Sequence, residues 1–310
     1  MSGVVRRQIM SIKNSIQNNS FIMGIYEKLL PYYCLLFTEQ AIKTLYRQTF
    51  QKSIDLDAPK DLNEKINRLK LCCKDDPLVI KCADKYAVRG YLEEQGFGEY
   101  LTKLYGVYDR PEDIDWDTLP DSFALKFNKG AGMNIICADK SELDTASAVK
   151  KMRSWFRDKS YYRSCELHYR KAVPKIICEE YLDNGSKGLP EDYKIYCING
   201  EPVFMLICLE RARKLKRVFV DRNFTLLDVN DDYKSLERLP EKPVFFEKMF
   251  EIAGRLSKPF PIVRVDFFEV AGRLYIGELT FTPQGGYLNY KQEWLDRLGD
   301  RLVLPKGCGG

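Results

Sequence analysis

Between residues 263 and 283 the chain reads VRVDFFEVAGRLYIGELTFTP, two runs of alternating apolar and polar residues on either side of Ala271-Gly272. Period-two alternation with a glycine at the reversal predicts a β-hairpin. One face takes Val263, Val265, Phe267, Leu279 and Phe281, an apolar set suited to a core. The other takes Arg264, Asp266, Glu278 and Thr280. With the hairpin centred near Gly272, Asp266 and Glu278 face each other, Cβ atoms roughly 5 Å apart. Facing carboxylates repel, the more so when partly buried. A divalent cation between them removes the conflict, because Mg²⁺ takes hard oxygen ligands completed by waters and substrate phosphates. Two solvated acids, each with its own cation, is the competing reading of this stretch alone.

The pattern elsewhere predicts alternating helices and hairpins. Residues 1–60 read as helical; their most apolar segment, 21–37, holds Glu27, Lys28 and a mid-run Pro31, too interrupted for a spanning helix. It either packs on the body or lies on a membrane face beside Arg6, Arg7, Lys13 and Lys43. No small-residue cleavage site follows it, so it does not read as a cleavable signal. Asp61 and Glu64 form a capping box that opens a helix with a stripe at Ile66, Leu69 and Cys73. CADKYAVRGYLEEQG predicts one helix closed by Gly96, with Lys85 and Arg89 four apart on one face. FALKFNKGAGMNIIC predicts strand, turn and strand; Lys126 lies inside an apolar run, and the turn holds Gly130 and Gly132. It is not a P-loop, since the closing G-K-[ST] is missing. Residues 141–170 read as helical and basic, Ile176, Ile177 and Cys178 as a buried strand running into Glu179, Glu180, Tyr181 and Leu182. The next hairpin reverses at Asn199-Gly200, with Asp192 and Lys194 on one face and Tyr193, Ile195 and Cys197 on the other. Arg211, Arg213, Lys214, Lys216 and Arg217 follow in a basic run, either a solvated loop or a receptor for an anion. Residues 243–257 predict a helix.

Composition narrows the chemistry. A net charge of +5 spread along the chain suits anionic small molecules or surfaces and does not point to nucleic acid. Ten cysteines occur without any C-x-x-C, and Cys178, Cys197 and Cys208 fall in apolar runs, so all are expected reduced in a cytoplasmic protein. The single histidine, His168, argues against His-based zinc sites and a Ser-His-Asp triad, and is expected to be structural.

Taken in order, Asp84-Lys85, Lys126 with its glycine hairpin, the connector 179–182, Asp192-x-Lys194, and Arg264-x-Asp266 with Glu278-x-Thr280 resemble the ATP-grasp superfamily. Within it, LNEKINRLKL, ADKYAVRGYL, LPDSFALKFNKGAG, DYKIYCINGEP and VRVDFFEV…IGELTFTP look like the branch typified by the teichuronopeptide biosynthesis protein of bacterial capsule and surface-polysaccharide gene sets. The resemblance covers roughly residues 61 to 304; the hairpin motif is its most specific part. It implies an α+β fold whose two lobes hold ATP between them, with a helical extension at 1–60, a first portion at 61–120, a lid at 121–183 and a metal-bearing lobe at 184–310. Lys85 and Lys126 are then expected on ATP phosphates under the backbone of Gly130 and Gly132. Glu179, Tyr181 and Leu182 are expected at adenine, Asp192 at ribose or a nearby polar group, and Lys194 on a phosphate. Asp266, Glu278 and Thr280 are expected to hold one or two Mg²⁺, with Arg264 and Lys194 acting in catalysis. Thr280 departs from the family, in which asparagine is usual there, and a hydroxyl is a weaker ligand than an amide carbonyl.

The implied reaction joins a carboxylate to an amine through an acyl-phosphate, which needs positioning and charge stabilisation and no side-chain nucleophile. The branch implies a uronic acid of a cell-surface polysaccharide as acceptor, with Arg211, Arg213, Lys216 and Arg217 to receive it and an amine or amino acid as second substrate. Localisation is expected in the cytoplasm, at the inner membrane face if residues 21–37 touch lipid. Competing readings are a kinase that phosphorylates a sugar hydroxyl and a non-catalytic nucleotide-binding scaffold.

Overall fold

The computed structural model describes residues 20–183, 185, 189–209, 215–231 and 240–308. Helices α1 (Ser20–Leu36) and α2 (Thr38–Phe50) form an N-terminal hairpin, followed by α3 (Leu62–Cys72), α4 (Pro77–Ala83) and α5 (Ala87–Glu94). A first sheet then comprises β1 (Leu104–Tyr108), β2 (Phe123–Phe127), β3 (Asn134–Cys137) and β4 (Ile176–Glu180), in the order β1-β4-β2-β3. Between β3 and β4 lie α6 (Thr145–Phe156) and the single turn α7 (His168–Lys171). The second sheet holds β5 (Asp192–Ile198), β6 (Glu201–Leu209), β7 (Lys216–Val220), β8 (Ile262–Val270) and β9 (Arg273–Thr280), in the order β7-β6-β5-β8-β9. Helix α8 (Phe246–Ser257) precedes β8, and α9 (Gln292–Arg301) closes the chain. Every strand pairing among the described residues is antiparallel.

Alternation along the second sheet decides what covers each face. Tyr193, Ile195, Cys197, Val263, Val265 and Phe267 join a core with α8, α4 and α5. The opposite face is apolar towards β6 and β7, where Tyr196, Phe204, Leu206 and Phe219 pack against α3 and α9. Its other half, at β5, β8 and β9, carries the charged residues. The first sheet has its own core against α6, centred on Phe123, Phe127, Met152 and Trp155.

Three local expectations change. The helix predicted across residues 82–96 breaks into α4 and α5 at Asp84, which accepts from the amides of Tyr86 (2.8 Å) and Ala87 (3.1 Å). The break leaves Lys85 in a turn ahead of α5. The helix predicted over 141–170 ends at Phe156; a 3₁₀ turn follows, and Cys165 adopts a left-handed conformation (φ 56°). The cysteines are not all reduced: Cys72 of α3 is bonded to Cys308, 236 residues on. Lys65 donates to the carbonyls of Gly299 (2.8 Å) and Leu302 (2.9 Å), and Arg68 to that of Cys308 (2.6 Å), folding the tail back onto α3. Spacing along the chain carries no trace of that return. The disulfide also removes the support that cysteine usage lent to a reducing compartment.

In the N-terminal hairpin, Leu30 and Cys34 of α1 are buried with Tyr162 and Cys165, so one side of the segment packs on the body. Leu29, Tyr32, Leu36 and Phe37 are exposed. No helix among the described residues is long and apolar enough to cross a membrane.

Candidate active site

The β8–β9 hairpin turns at Ala271 (φ 50°) and Gly272 (φ 70°), the left-handed pair of a two-residue turn. Val270 faces Arg273 across it, and counting back from there Asp266 would oppose Gly277. A bulge between Asp266 and Phe267 shifts the register by one, so Asp266 opposes Glu278 and Arg264 opposes Thr280. The bulge also sends Ile276 into the core while Glu278, two residues on, enters the site. Glycine is required at 277 for space: a Cβ there would lie 2.7 Å from the Phe268 ring.

Around the two acids the charges interlock. Arg264 donates from Nε to Asp266 Oδ1 (2.6 Å) and from Nη2 to Asp266 Oδ2 (2.7 Å), Glu278 Oε1 (3.3 Å) and Thr280 Oγ1 (3.1 Å). Lys194 donates to Asp266 Oδ2 and pairs with Asp192 Oδ2 at 2.6 Å. Lys85 reaches Glu278 Oε2 at 3.4 Å and donates to the Gly130 carbonyl at 2.6 Å, tying the glycine turn of β2–β3 to the second sheet. Burial opposes ionisation of Glu278, but Lys85, Arg264 and Lys194 outweigh it and hold the carboxyl well below the usual range. Burial lifts Asp266, against the pull of Arg264 and Lys194. Lys194 is raised despite burial, by Asp266 first.

A second cluster lies in the first sheet. Lys126 donates to Glu179 Oε2 (2.7 Å), and Arg89 of α5 to Glu179 Oε1 (2.8 Å) and the Thr102 carbonyl (2.7 Å). Burial works against the Glu179 anion, yet Lys126 and Arg89 lower its pKa. Both oxygens are thus committed to cations. Tyr181 and Leu182 follow directly at the end of β4. Asn128 fastens the two clusters: its Nδ2 donates to Asp84 Oδ2 (2.6 Å) and its carbonyl accepts from the Lys85 amide (2.7 Å).

The structure therefore brings Lys85, Gly130, Asp192, Lys194, Arg264, Asp266, Glu278 and Thr280 into one network, with Lys126 and Glu179 in an adjoining one. Gly130 and Gly132 both have positive φ (75° and 74°). Lys216 and Arg217 lie on edge strand β7; Arg217 faces Cys208, which in turn faces Asp192, while Lys216 points to the opposite face. Arg211 and Arg213 lie outside the described residues. The sequence does not mark Arg89 as a partner of Glu179; its lone signal is an arginine four residues after Lys85. Burial pushes the Tyr169 phenol well up, with Glu166 and Glu278 adding to the shift. His168 is buried, with no partner for Nε2, and burial lowers its pKa to about 4, so it stays neutral at physiological pH.

Hard oxygen donors from Asp266, Glu278 and Thr280 fit Mg²⁺. Among the described residues no group of three or more His, Cys, Asp or Glu is placed to hold a metal.

Comparison with known proteins adds the family. No curated protein matches the chain. Among solved structures, D-alanine–D-alanine ligase from Bacillus anthracis is 16% identical at a TM-score of 0.43, covering 72% of this chain and 66% of that one. The corresponding ligase from Helicobacter pylori gives 14% and 0.38, with 72% and 61% covered. N5-carboxyaminoimidazole synthase from Aspergillus clavatus gives 10% and 0.38, with 66% and 45% covered. The chain thus spans less than two thirds of the length of these solved chains. A family model described as TupA-like ATPgrasp matches residues 64–303. The chain belongs to the TupA-like ATP-grasp family.

Proposed function

We propose that this protein is an ATP- and Mg²⁺-dependent carboxylate–amine ligase that forms an amide on a uronic-acid-containing cell-surface polysaccharide or its precursor. The observation that carries this reading is the facing pair Asp266 and Glu278, ringed by Arg264, Lys194 and Lys85, with Lys85 also bound to the glycine turn of the first sheet. Such a site holds polyphosphate and supplies no nucleophile of its own. The acceptor carboxylate attacks the γ-phosphorus of ATP and ADP leaves; the amine then adds to the acyl carbon, and inorganic phosphate departs as the amine gives up a proton.

Each residue has a task in that sequence. Lys85 and Lys126 neutralise phosphate oxygens, and the backbone of Gly130 and Gly132 closes over them. Lys194 meets a phosphate, Asp192 the ribose or a neighbouring polar group. Arg264 stands beside the transferred phosphoryl and stabilises its charge. Asp266, Glu278 and Thr280 would hold Mg²⁺, which when bound would neutralise phosphate charge during the transfer. Because Glu179 is occupied by Lys126 and Arg89, its part at adenine is to fix those cations, and the backbone of Tyr181 and Leu182 offers the adenine edge.

For the acceptor we propose the basic run at β7: Arg217 lies on the face of Asp192, Lys216 on the opposite face at the strand edge, and Arg211 and Arg213 precede them in sequence. The exposed Leu29, Tyr32, Leu36 and Phe37 support a peripheral contact of α1 with the inner membrane face. The test is ADP release from Mg-ATP with uronic acids and amino acids, and mass spectrometry of the products. The ligase requires both a carboxylate and an amine, and a joined product lighter than its parts by one water. Phosphate retained on the sugar would establish a kinase instead; nucleotide binding with no turnover on any pair would favour a scaffold.

A further inference from the structure

Helix α3 carries a second stripe besides its apolar one. Asn63, Asn67 and Lys70, at i, i+4 and i+7, are almost fully buried, at 1%, 0% and 2% exposure. Two amides and an ammonium so placed need partners. They find them chiefly on the loop after β9 and on the segment ahead of α7. Asn63 pairs both ways with the Leu288 backbone, Nδ2 to the carbonyl (3.0 Å) and Oδ1 from the amide (2.8 Å). Asn67 donates to the Gly286 carbonyl (2.8 Å). Lys70 donates to the Ser164 carbonyl (2.7 Å) and Asn67 Oδ1 (2.8 Å), and lies 4.5 Å above the centre of the Tyr287 ring. From the other side Glu166 accepts from the hydroxyls of Thr282 and Ser164.

The gripped loop has a shape that no strand ladder maintains. Gln284, Gly285 and Gly286 are left-handed in succession, at φ 49°, 62° and 73°. Nor is there slack: a Cβ on Gly285 would come within 2.7 Å of Ser164, and one on Gly286 within 2.9 Å of Asn67. The loop begins two residues beyond Thr280, whose hydroxyl accepts from Arg264 (3.1 Å) and donates to Glu278 Oε1 (3.3 Å), so clamp and carboxylate pair adjoin along the chain.

We propose that Lys70, together with Asn67 and Glu166, is a positioning residue that clamps loop 282–286 as the wall of the site next to Asp266 and Glu278. Its role in turnover rests on the ligase reading, whereas the clamp itself does not. Facing the Lys70 ammonium are Glu166 and Cys165 from the segment ahead of α7, Cys34 from α1 and neutral His168 from α7. Burial lowers the Lys70 pKa to about 8, with Glu166 holding it up. The ammonium is therefore present below pH 8 and fades as pH rises through it, weakening the attraction to Glu166 and to the Tyr287 ring.

Hydrogen exchange of the full chain tests this, with the β8–β9 hairpin as internal reference. Lys70→Met should speed exchange in 282–288 about tenfold at pH 7, leaving the hairpin and the Mg-ADP dissociation constant within about twofold. In the wild type, loop protection relative to the hairpin should fall between pH 7 and 9. Lys70→Arg, whose charge persists, should abolish that fall, and Glu166→Gln should move it to lower pH. ADP release with glucuronate and glutamate should drop about a hundredfold in Lys70→Met, as for displaced reacting groups. Unchanged loop exchange in Lys70→Met, or loosening shared equally by loop and hairpin, would overturn the clamp. A wild type with the expected loop behaviour but no acceptor-dependent ADP release with any uronic acid and amino acid pair would leave the clamp standing and overturn the ligase reading.

Discussion

Two hairpins meet at the site, and they are built for different work. In β8–β9 the turn is two residues long, and Arg264, Asp266, Glu278 and Thr280 lock one another through hydrogen bonds of 2.6–3.3 Å. In β2–β3 the connection is the glycine turn, β3 is an edge strand with Asn134 and Ile136 exposed, and Ala131 and Gly132 face solvent. Its one charged strand residue, Lys126, is fixed by a glutamate on a neighbouring strand. A preorganised charge platform belongs on packed strands, because donors that do not move cost no reorganisation during reaction. If β2–β3 covers phosphates as proposed, it needs backbone amides and freedom to approach, which glycine supplies. Lys85 is paired with both hairpins, through Glu278 and the Gly130 carbonyl.

The largest effect should come from removing the centre of the platform. Asp266→Asn leaves Arg264 and Lys194 buried against a neutral amide. Turnover should fall by about a thousandfold, and stability by about 3–5 kcal/mol, read from denaturant unfolding. Wild-type stability in that variant would mean the cations do not depend on Asp266. Gly277→Val comes next. Its side chain meets the Phe268 ring, so the bulge must shift, costing about 1–3 kcal/mol, and Glu278 loses its place opposite Asp266. Unaltered ADP release there would show that the register does not matter.

The carboxylate pair was legible in the alternation of 263–283, since side-chain parity needs only neighbours in sequence. The bulge was not: the two-residue turn alone places Asp266 against Gly277, and the clash that demands glycine comes from Phe268 across the strand pair. The grip of α3 was hidden for a related reason. Its apolar stripe at Ile66 and Leu69 announces a buried face, whereas the burial of Asn63, Asn67 and Lys70 depends on partners in loop 282–288 and at Ser164. Likewise Arg89 lies 90 residues from Glu179, and Cys72 lies 236 from Cys308. Partners at such separations leave no periodic signature.

A smaller effect is expected in the first sheet. Glu179→Gln removes the counter-charge of Lys126 and Arg89, so the KM for Mg-ATP should rise about tenfold while the product-forming step changes less. An unchanged KM would place Lys126 away from the phosphates. The same groups set an acid limit. Glu179 and Glu278 have pKa values lowered by their cations, so their stabilisation is complete above the ordinary glutamate value, about 4.3, and is lost as pH falls through the lowered ones. In Glu179→Gln the loss of stability on acidification should be smaller than in the wild type; an identical acid profile would contradict the pairing.

The most direct test is calorimetric titration of ADP, with and without Mg²⁺, into the wild type and Glu278→Gln. Glu278 is a third exposed, so the variant is expected to fold. If Asp266 and Glu278 hold the metal, Mg²⁺ tightens ADP binding to the wild type about tenfold or more, and Glu278→Gln loses that gain while still binding free ADP. Equal Mg²⁺ enhancement in both proteins would contradict the metal assignment.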